Sequence, residues 1–250
     1  MTEWYAFSEE QSIINPNDRG LQYGDGLFET IAIRQGEPRL WDYHVQRLKT
    51  GCKRLALELP TAATLRDRLR TAIAESNHDS DFCVAKIIVT AGVSQRGYGR
   101  TMPTESSTYI GVFPANPVIR QTYEKGAETI LCETRLAVGS PVAGLKTLNR
   151  IEQVLARSEC LRTGAFEGLT LDRDGRLICG SMSNVFIIRD KTILTPDLDR
   201  CGVAGIMRQF ILDLLAQQGS NVEVRDLEWD DLVAADEVFI TNSQMGLVPV

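Results

Sequence analysis

Hydrophobic and polar positions change period several times along the chain, and each change marks an element. Residues 27–34 (Leu27 to Arg34) alternate and are rich in β-branched side chains. Gln35-Gly36-Glu37-Pro38 then interrupts before Leu40, which predicts a hairpin. From His44 to Leu59, the residues Val45, Leu48, Cys52, Leu55 and Leu59 fall on one face of a helix that Pro60 stops. A second helix is predicted over 64–76, with Leu65, Leu69, Ala72 and Ile73 inward, and strands over 84–90 and 108–113. Further strands are predicted over 128–132, 168–171, 185–188, 192–194 and 237–241, and helices over 148–162 and 206–218. In the first of these helices Leu148, Ile151, Val154, Leu155 and Leu161 recur at helical spacing, which predicts one buried stripe.

Pro114-Ala115-Asn116-Pro117 has the composition of an interdomain linker. The expected architecture is therefore α+β and two-lobed. An N-terminal domain spans 1–114, a linker 115–120 and a C-terminal domain 121–250, with a cleft between the lobes.

Composition narrows the class. Hydrophobic residues make up 43% of the 250 positions and charged residues 24%, the balance of a soluble globular protein. The net charge of −6, with no basic run, argues against a nucleic-acid partner and leaves room for a small anionic substrate held by local arginines. Six cysteines lie scattered with no CxxC pair, which reads as reduced thiols in a cytoplasmic protein. Only His44 and His78 are present, so a metal hydrolase or a histidine-based triad is not expected. The first residues carry no leader-like pattern and no apolar run reaches membrane-spanning length, so no membrane partner is expected.

The chemistry centres on Lys146. Pro141 and Gly144 break the chain before it and the predicted helix follows, which places it at a loop–helix junction on the edge of a core. An amine desolvated there is a better nucleophile toward a carbonyl. A second signal is the glycine-rich run Gly202-Val203-Ala204-Gly205 before Ile206-Met207-Arg208, since amides at a helix start suit a phosphate.

Five segments occur in order over nearly the whole chain: residues 20–30 (Gly-Leu-Gln-Tyr-Gly-Asp-Gly-Leu-Phe-Glu-Thr), His44-Val45-Gln46-Arg47-Leu48, the Lys146 segment, Ser183-Asn184-Val185-Phe186, and residues 237–243. Together they resemble the fold-type IV, or class IV aminotransferase, family of pyridoxal-phosphate enzymes. The resemblance implies pyridoxal 5'-phosphate as cofactor, a site between the lobes, and a homodimer whose two subunits complete each site. It makes Lys146 the cofactor-linking and proton-moving lysine and Arg47 a phosphate-binding arginine. Gly205, Ile206, Met207 and Ser243 would complete the phosphate site. Tyr23 and Phe28 would line the substrate region.

Cys179 stands five residues before Asn184, where the family usually carries a glutamate that pairs with the pyridine nitrogen. A neutral thiol cannot replace that charge. Three readings stay open there: a lyase that tolerates the loss, a repurposed relative, and a cofactor with altered chemistry. Residues 146–155 and Gln95-Arg96-Gly97-Tyr98 resemble the lyase subgroup that converts 4-amino-4-deoxychorismate to p-aminobenzoate and pyruvate, with Arg96 as carboxylate partner. Branched-chain or D-amino acid transamination and a non-catalytic relative are the alternatives. The chain ends shortly after a motif that the family usually follows with a further strand and helix.

Overall fold

The computed structural model describes residues 3–6, 14–78, 82–100 and 105–250, and the chain divides into two compact units. The first comprises residues 1–116 together with 146–149. Its elements are β1 (Glu3–Ala6), α1 (Arg19–Tyr23), β2 (Gly26–Arg34), β3 (Glu37–Pro38), α2 (Trp41–Leu55), α3 (Ala62–Glu75), β4 (Phe82–Thr90) and β5 (Ser107–Pro114). The strands form one antiparallel sheet in the order β1-β5-β4-β2-β3. Helix α2 packs on β2 and α3 on β5. The alternation along β2 and β4 puts Ile31, Ile33, Ala85, Ile87 and Val89 inside, and the α3 stripe Leu65, Leu69, Ala72 and Ile73 is buried as its spacing predicts. Helix α2 ends earlier than expected, because Ala56 turns left-handed (φ 50°) four residues before Pro60.

The second unit comprises residues 117–145 and 150–250. It contains α4 (Arg120–Lys125), β6 (Thr129–Leu136), α5 (Ile151–Thr163), β7 (Glu167–Asp172), β8 (Arg176–Gly180), β9 (Asn184–Arg189) and β10 (Thr192–Pro196). After these come α6 (Ile206–Gln217), β11 (Val222–Arg225), β12 (Leu227–Glu228), α7 (Trp229–Val233), β13 (Glu237–Asn242) and β14 (Gly246–Pro249). One sheet runs β11-β10-β9-β13-β14 and another β12-β8-β7-β6, with β10–β11 and β6–β7 parallel. Leu169, Leu177, Val185, Ile187, Leu194, Leu227, Ile240 and Val248 of both sheets share one core.

Two expectations are corrected. Lys146 is not at a helix mouth. Residues 146–148 run extended along β2, with Phe28 N–H donating to Lys146 C=O (3.0 Å), Leu148 N–H donating to Gly26 C=O (3.0 Å), and Thr147 opposite Leu27. These bonds tie residues 146–149 to the first unit, so the lysine does not belong with the compact body of the 121–250 domain. Helix α5 begins only at Ile151. Its expected buried stripe faces out, with Ile151 67%, Val154 55%, Leu155 53% and Leu161 70% exposed, while the small Ala156 and Cys160 pack inward.

Candidate active site

In the first unit the chemistry gathers on β2, α2, β4 and the Lys146 strip. The Lys146 amine lies 4.3 Å from the centre of the Phe28 ring, and a second amine, Lys86 Nζ from β4, lies 4.7 Å from the same ring. Both side chains are half-buried. Burial pushes the Lys86 ammonium below its ordinary pKa. Phe28, expected to line the substrate region, therefore has two amines drawn to its ring. Lys86 was not among the expected residues. The signal was there: a single lysine in the otherwise apolar run Cys83-Val84-Ala85-Lys86-Ile87-Ile88-Val89.

Arg47 emerges from α2 and is gripped by the carboxylate of Glu29 on β2, through Nε to Oε1 at 2.8 Å and Nη2 to Oε2 at 2.6 Å. His44, one turn earlier, donates from Nδ1 to Glu29 Oε2 at 2.6 Å. Burial alone would raise the Glu29 pKa. The Arg47 charge and the hydrogen bonds from His44 and Arg47 outweigh it and hold the carboxyl at about 2. Burial pushes His44 below its ordinary value against the pull of Glu29, and the nearby charges of Arg47 and Lys146 add to the downward shift. The imidazole is thus neutral beside an ionised carboxylate, and Nδ1 carries the proton. Arg47 is accordingly a fixed guanidinium, oriented from behind by an anion. Glu29 lies in one of the recognised segments, but its pairing with α2 is a tertiary fact.

Tyr23 closes α1. Its hydroxyl accepts from Gly97 N–H at 3.2 Å and its ring meets the Tyr98 ring edge-on, with centroids 5.5 Å apart. Asp25, which follows Gly24 after α1, is a receptor for two cations. Its carboxylate takes Arg19 Nε at 2.8 Å and Arg100 Nε at 2.9 Å. Arg96 is exposed on the intervening loop. Asn149 donates from Nδ2 to Gly24 C=O at 2.9 Å, which pins the end of the Lys146 strip.

In the second unit, α6 opens at Ile206 with Gly205 as its N-cap and no side-chain cap on the first amides. A Cβ at Gly205 would stand 1.9 Å from Asn184 Oδ1. Asn184 in turn donates from Nδ2 to Val203 C=O at 3.0 Å, fixing the glycine-rich run. Ile206 is buried, and Met207 and the turn residue Ser243 are half-buried. Arg208, buried in the first turn, donates from Nη2 to Pro196 C=O at 2.9 Å and holds the helix start against β10.

Cys179 on β8 is buried among Leu136, Ile178, Leu198 and Cys201. Its pKa is pushed up to about 12 by burial, against a weak contact with Thr170 Oγ1 at 3.6 Å. The thiol is neutral. Just beyond it, the fully buried Glu167 accepts from Ser183 Oγ at 2.7 Å, Ser181 N–H at 3.1 Å and Met182 N–H at 3.2 Å, and so orders the turn that delivers Asn184.

Known proteins share this arrangement of elements. The profile of the family described as amino-transferase class IV matches residues 26–250. The aminodeoxychorismate lyase of Vibrio harveyi is 35% identical over 243 residues, which are 96% of this chain and 87% of that protein. The crystal structure of 4-amino-4-deoxychorismate lyase from Pseudomonas aeruginosa superposes with a TM-score of 0.91 at 41% identity, covering 99% of this chain and 90% of the other. The D-alanine aminotransferase of Bacillus licheniformis is 26% identical over 95% of this chain and 82% of its own length. The matched family, the extent of the match and the shared fold lead to one conclusion: the chain belongs to the class IV aminotransferases, pyridoxal-phosphate enzymes of fold type IV.

Proposed function

We propose that the protein is a 4-amino-4-deoxychorismate lyase that uses pyridoxal 5'-phosphate and releases p-aminobenzoate and pyruvate for folate synthesis. The observation that carries this reading is the pair of amines on the Phe28 ring, Lys146 at 4.3 Å and Lys86 at 4.7 Å. It offers one base and one further cation to a substrate with two carboxylates.

The groups present fit the cofactor in chemistry. Lys146 is the amine that would link its aldehyde. Each unit carries groups suited to the cofactor phosphate: in the first, the fixed guanidinium of Arg47; in the second, the uncapped amides of Ile206 and Met207, with Gly205 leaving room for close approach and Ser243 as a hydroxyl. The cofactor, when bound, supplies an electron sink beside the amine-bearing carbon. Lys146, released once the substrate amine has displaced it, is then a free amine that takes the proton from that carbon. The electron pair so released forms a ring double bond and expels the enolpyruvyl oxygen from the neighbouring carbon. The Lys146 ammonium then protonates the departing oxygen. Arg96 and Lys86 hold the substrate carboxylates. Elimination leaves an aromatic ring, a driving force that transamination lacks. It therefore tolerates a neutral Cys179 where a carboxylate would otherwise hold a pyridinium.

The protein acts as a homodimer. The outward Ile151, Val154, Leu155 and Leu161 stripe on α5 supports this, since such a row on a helix is ordinarily covered. Six free, buried thiols support a reducing cytoplasmic location.

The test is p-aminobenzoate formation from enzymatically generated aminodeoxychorismate by the purified, cofactor-loaded protein. Lys146→Ala is expected to abolish turnover and the visible absorbance of lysine-bound cofactor. Keto-acid formation from branched-chain or D-amino acids, with no p-aminobenzoate, would replace the lyase with an aminotransferase. Cofactor binding without either product would favour a repurposed relative.

A further inference from the structure

The loop that bears Arg96 is exposed from Gln95 to Gly99, yet it is folded around a buried cation. Arg19 on α1 has a side chain only 4% exposed. Its Nη1 donates to Gly97 C=O at 2.9 Å, Ser94 Oγ at 3.0 Å and Gly99 C=O at 3.3 Å, and its Nη2 donates to Tyr98 C=O at 2.9 Å. Three consecutive carbonyls thus converge on one guanidinium. Without it, their dipoles would face one another and the turn would open.

Everything behind Arg19 is fixed. Nε is held by Asp25, which Arg100 also grips. Its backbone N–H donates to Gly92 C=O at 2.8 Å, at the root of the loop. The neighbouring Asp18 carboxylate is anchored by Gly20 N–H at 2.7 Å, Thr90 Oγ1 at 2.8 Å and Tyr109 OH at 3.1 Å. The guanidinium also lies 4.9 Å from the Tyr23 ring, whose hydroxyl holds Gly97 N–H.

We propose that Arg19 is a positioning residue: its planar fork templates the loop from Ser94 to Gly99 and so presents Arg96 to the substrate carboxylate in one arrangement. The inference rests on the reading of Arg96 as a carboxylate partner. It adds the reason that an arginine on an exposed loop can be selective at all. A mobile Arg96 loses entropy on each binding event, whereas a templated one has lost it on folding. Lysine cannot substitute for Arg19, because a single ammonium reaches at most part of this divergent set of acceptors.

The experiment compares Arg19→Lys, Tyr23→Phe, Arg96→Gln and the Arg19→Lys/Arg96→Gln pair, all as cofactor-loaded full chains. It reads steady-state kinetics on aminodeoxychorismate and amide hydrogen exchange of the 94–100 segment. Arg19→Lys should raise KM about tenfold with kcat within about twofold, accelerate exchange in the segment and leave the cofactor absorbance intact. Tyr23→Phe, which removes one loop anchor and keeps its ring, should move exchange in the same direction by less. In the Arg96→Gln background Arg19→Lys should add nothing to KM. Unchanged exchange in both Arg19→Lys and Tyr23→Phe overturns the inference. So do KM losses that multiply in the double variant, or an equal fall of kcat and cofactor absorbance in Arg19→Lys. An unchanged KM in Arg96→Gln alone removes the carboxylate reading itself and leaves a loop with no substrate to present.

Discussion

Replacing Glu29 with glutamine removes the anion that holds Arg47 and His44, and its cost can be worked from the site. The carboxyl is held at about 2 against an ordinary 4.5. At roughly 1.4 kcal/mol per unit, that depression corresponds to about 3 kcal/mol of folding stability. Glutamine keeps the shape and one hydrogen-bond acceptor but removes the negative charge that faces Arg47, and breaking a buried pair in this way costs a comparable amount. The sign follows from the direction of the shift. A depressed carboxyl stabilises the folded state above its unfolded pKa and loses that contribution as pH falls through the folded value. The gap between wild type and Glu29→Gln should therefore be about 3 kcal/mol near neutral pH, nearly whole at about pH 4.5 and less than half by about pH 3. Urea unfolding of both proteins at these three pH values measures it. A neutral-pH gap under about 1 kcal/mol, or a gap that does not close with acid, would refute the linkage.

Two further outcomes test other parts of the site. Cys179→Glu should tighten cofactor binding and raise transaminase side activity, read by cofactor titration and by pyruvate-to-alanine conversion; if neither changes, the position does not face the ring nitrogen. Leu155→Glu, on the outward face of α5, should convert a dimer to monomers in sedimentation velocity. An unaltered dimer would move the interface elsewhere.

What was legible in the sequence divides along a physical line. Local signals held: β-branched alternation gave β2 and β4, and the α3 stripe is buried to the last residue. The glycine-rich run does lead into α6. Spacing tells which residues share a face, however, and not what lies against it. The α5 stripe has the right period and faces outward, because β6 and β7 leave room there only for Ala156 and Cys160. The apolar period that begins at Leu148 predicts a helix mouth at Lys146. The bonds to Gly26 and Phe28 that hold it extended come from residues more than a hundred positions away. Glu29, Arg19 and Asp25 were unreadable as a group for the same reason. Each looks like an ordinary charge in a strand or turn, and only the fold puts a partner beside it.

The strip from Lys146 to Asn149 also has a consequence for how the protein is made. The chain leaves the first unit after Asn116, returns to it for four residues and leaves again. During synthesis the edge of β2 from Gly26 to Phe28 has no partner until the ribosome has translated past residue 149, well into the second unit. A nascent chain stalled after the apparent linker would hold α2 and the buried Glu29 of β2, but it would lack Lys146 and leave a strand edge unpaired. Completion of the first unit is thereby tied to translation of the second, so no early cut in the message yields a half-enzyme with its lysine in place.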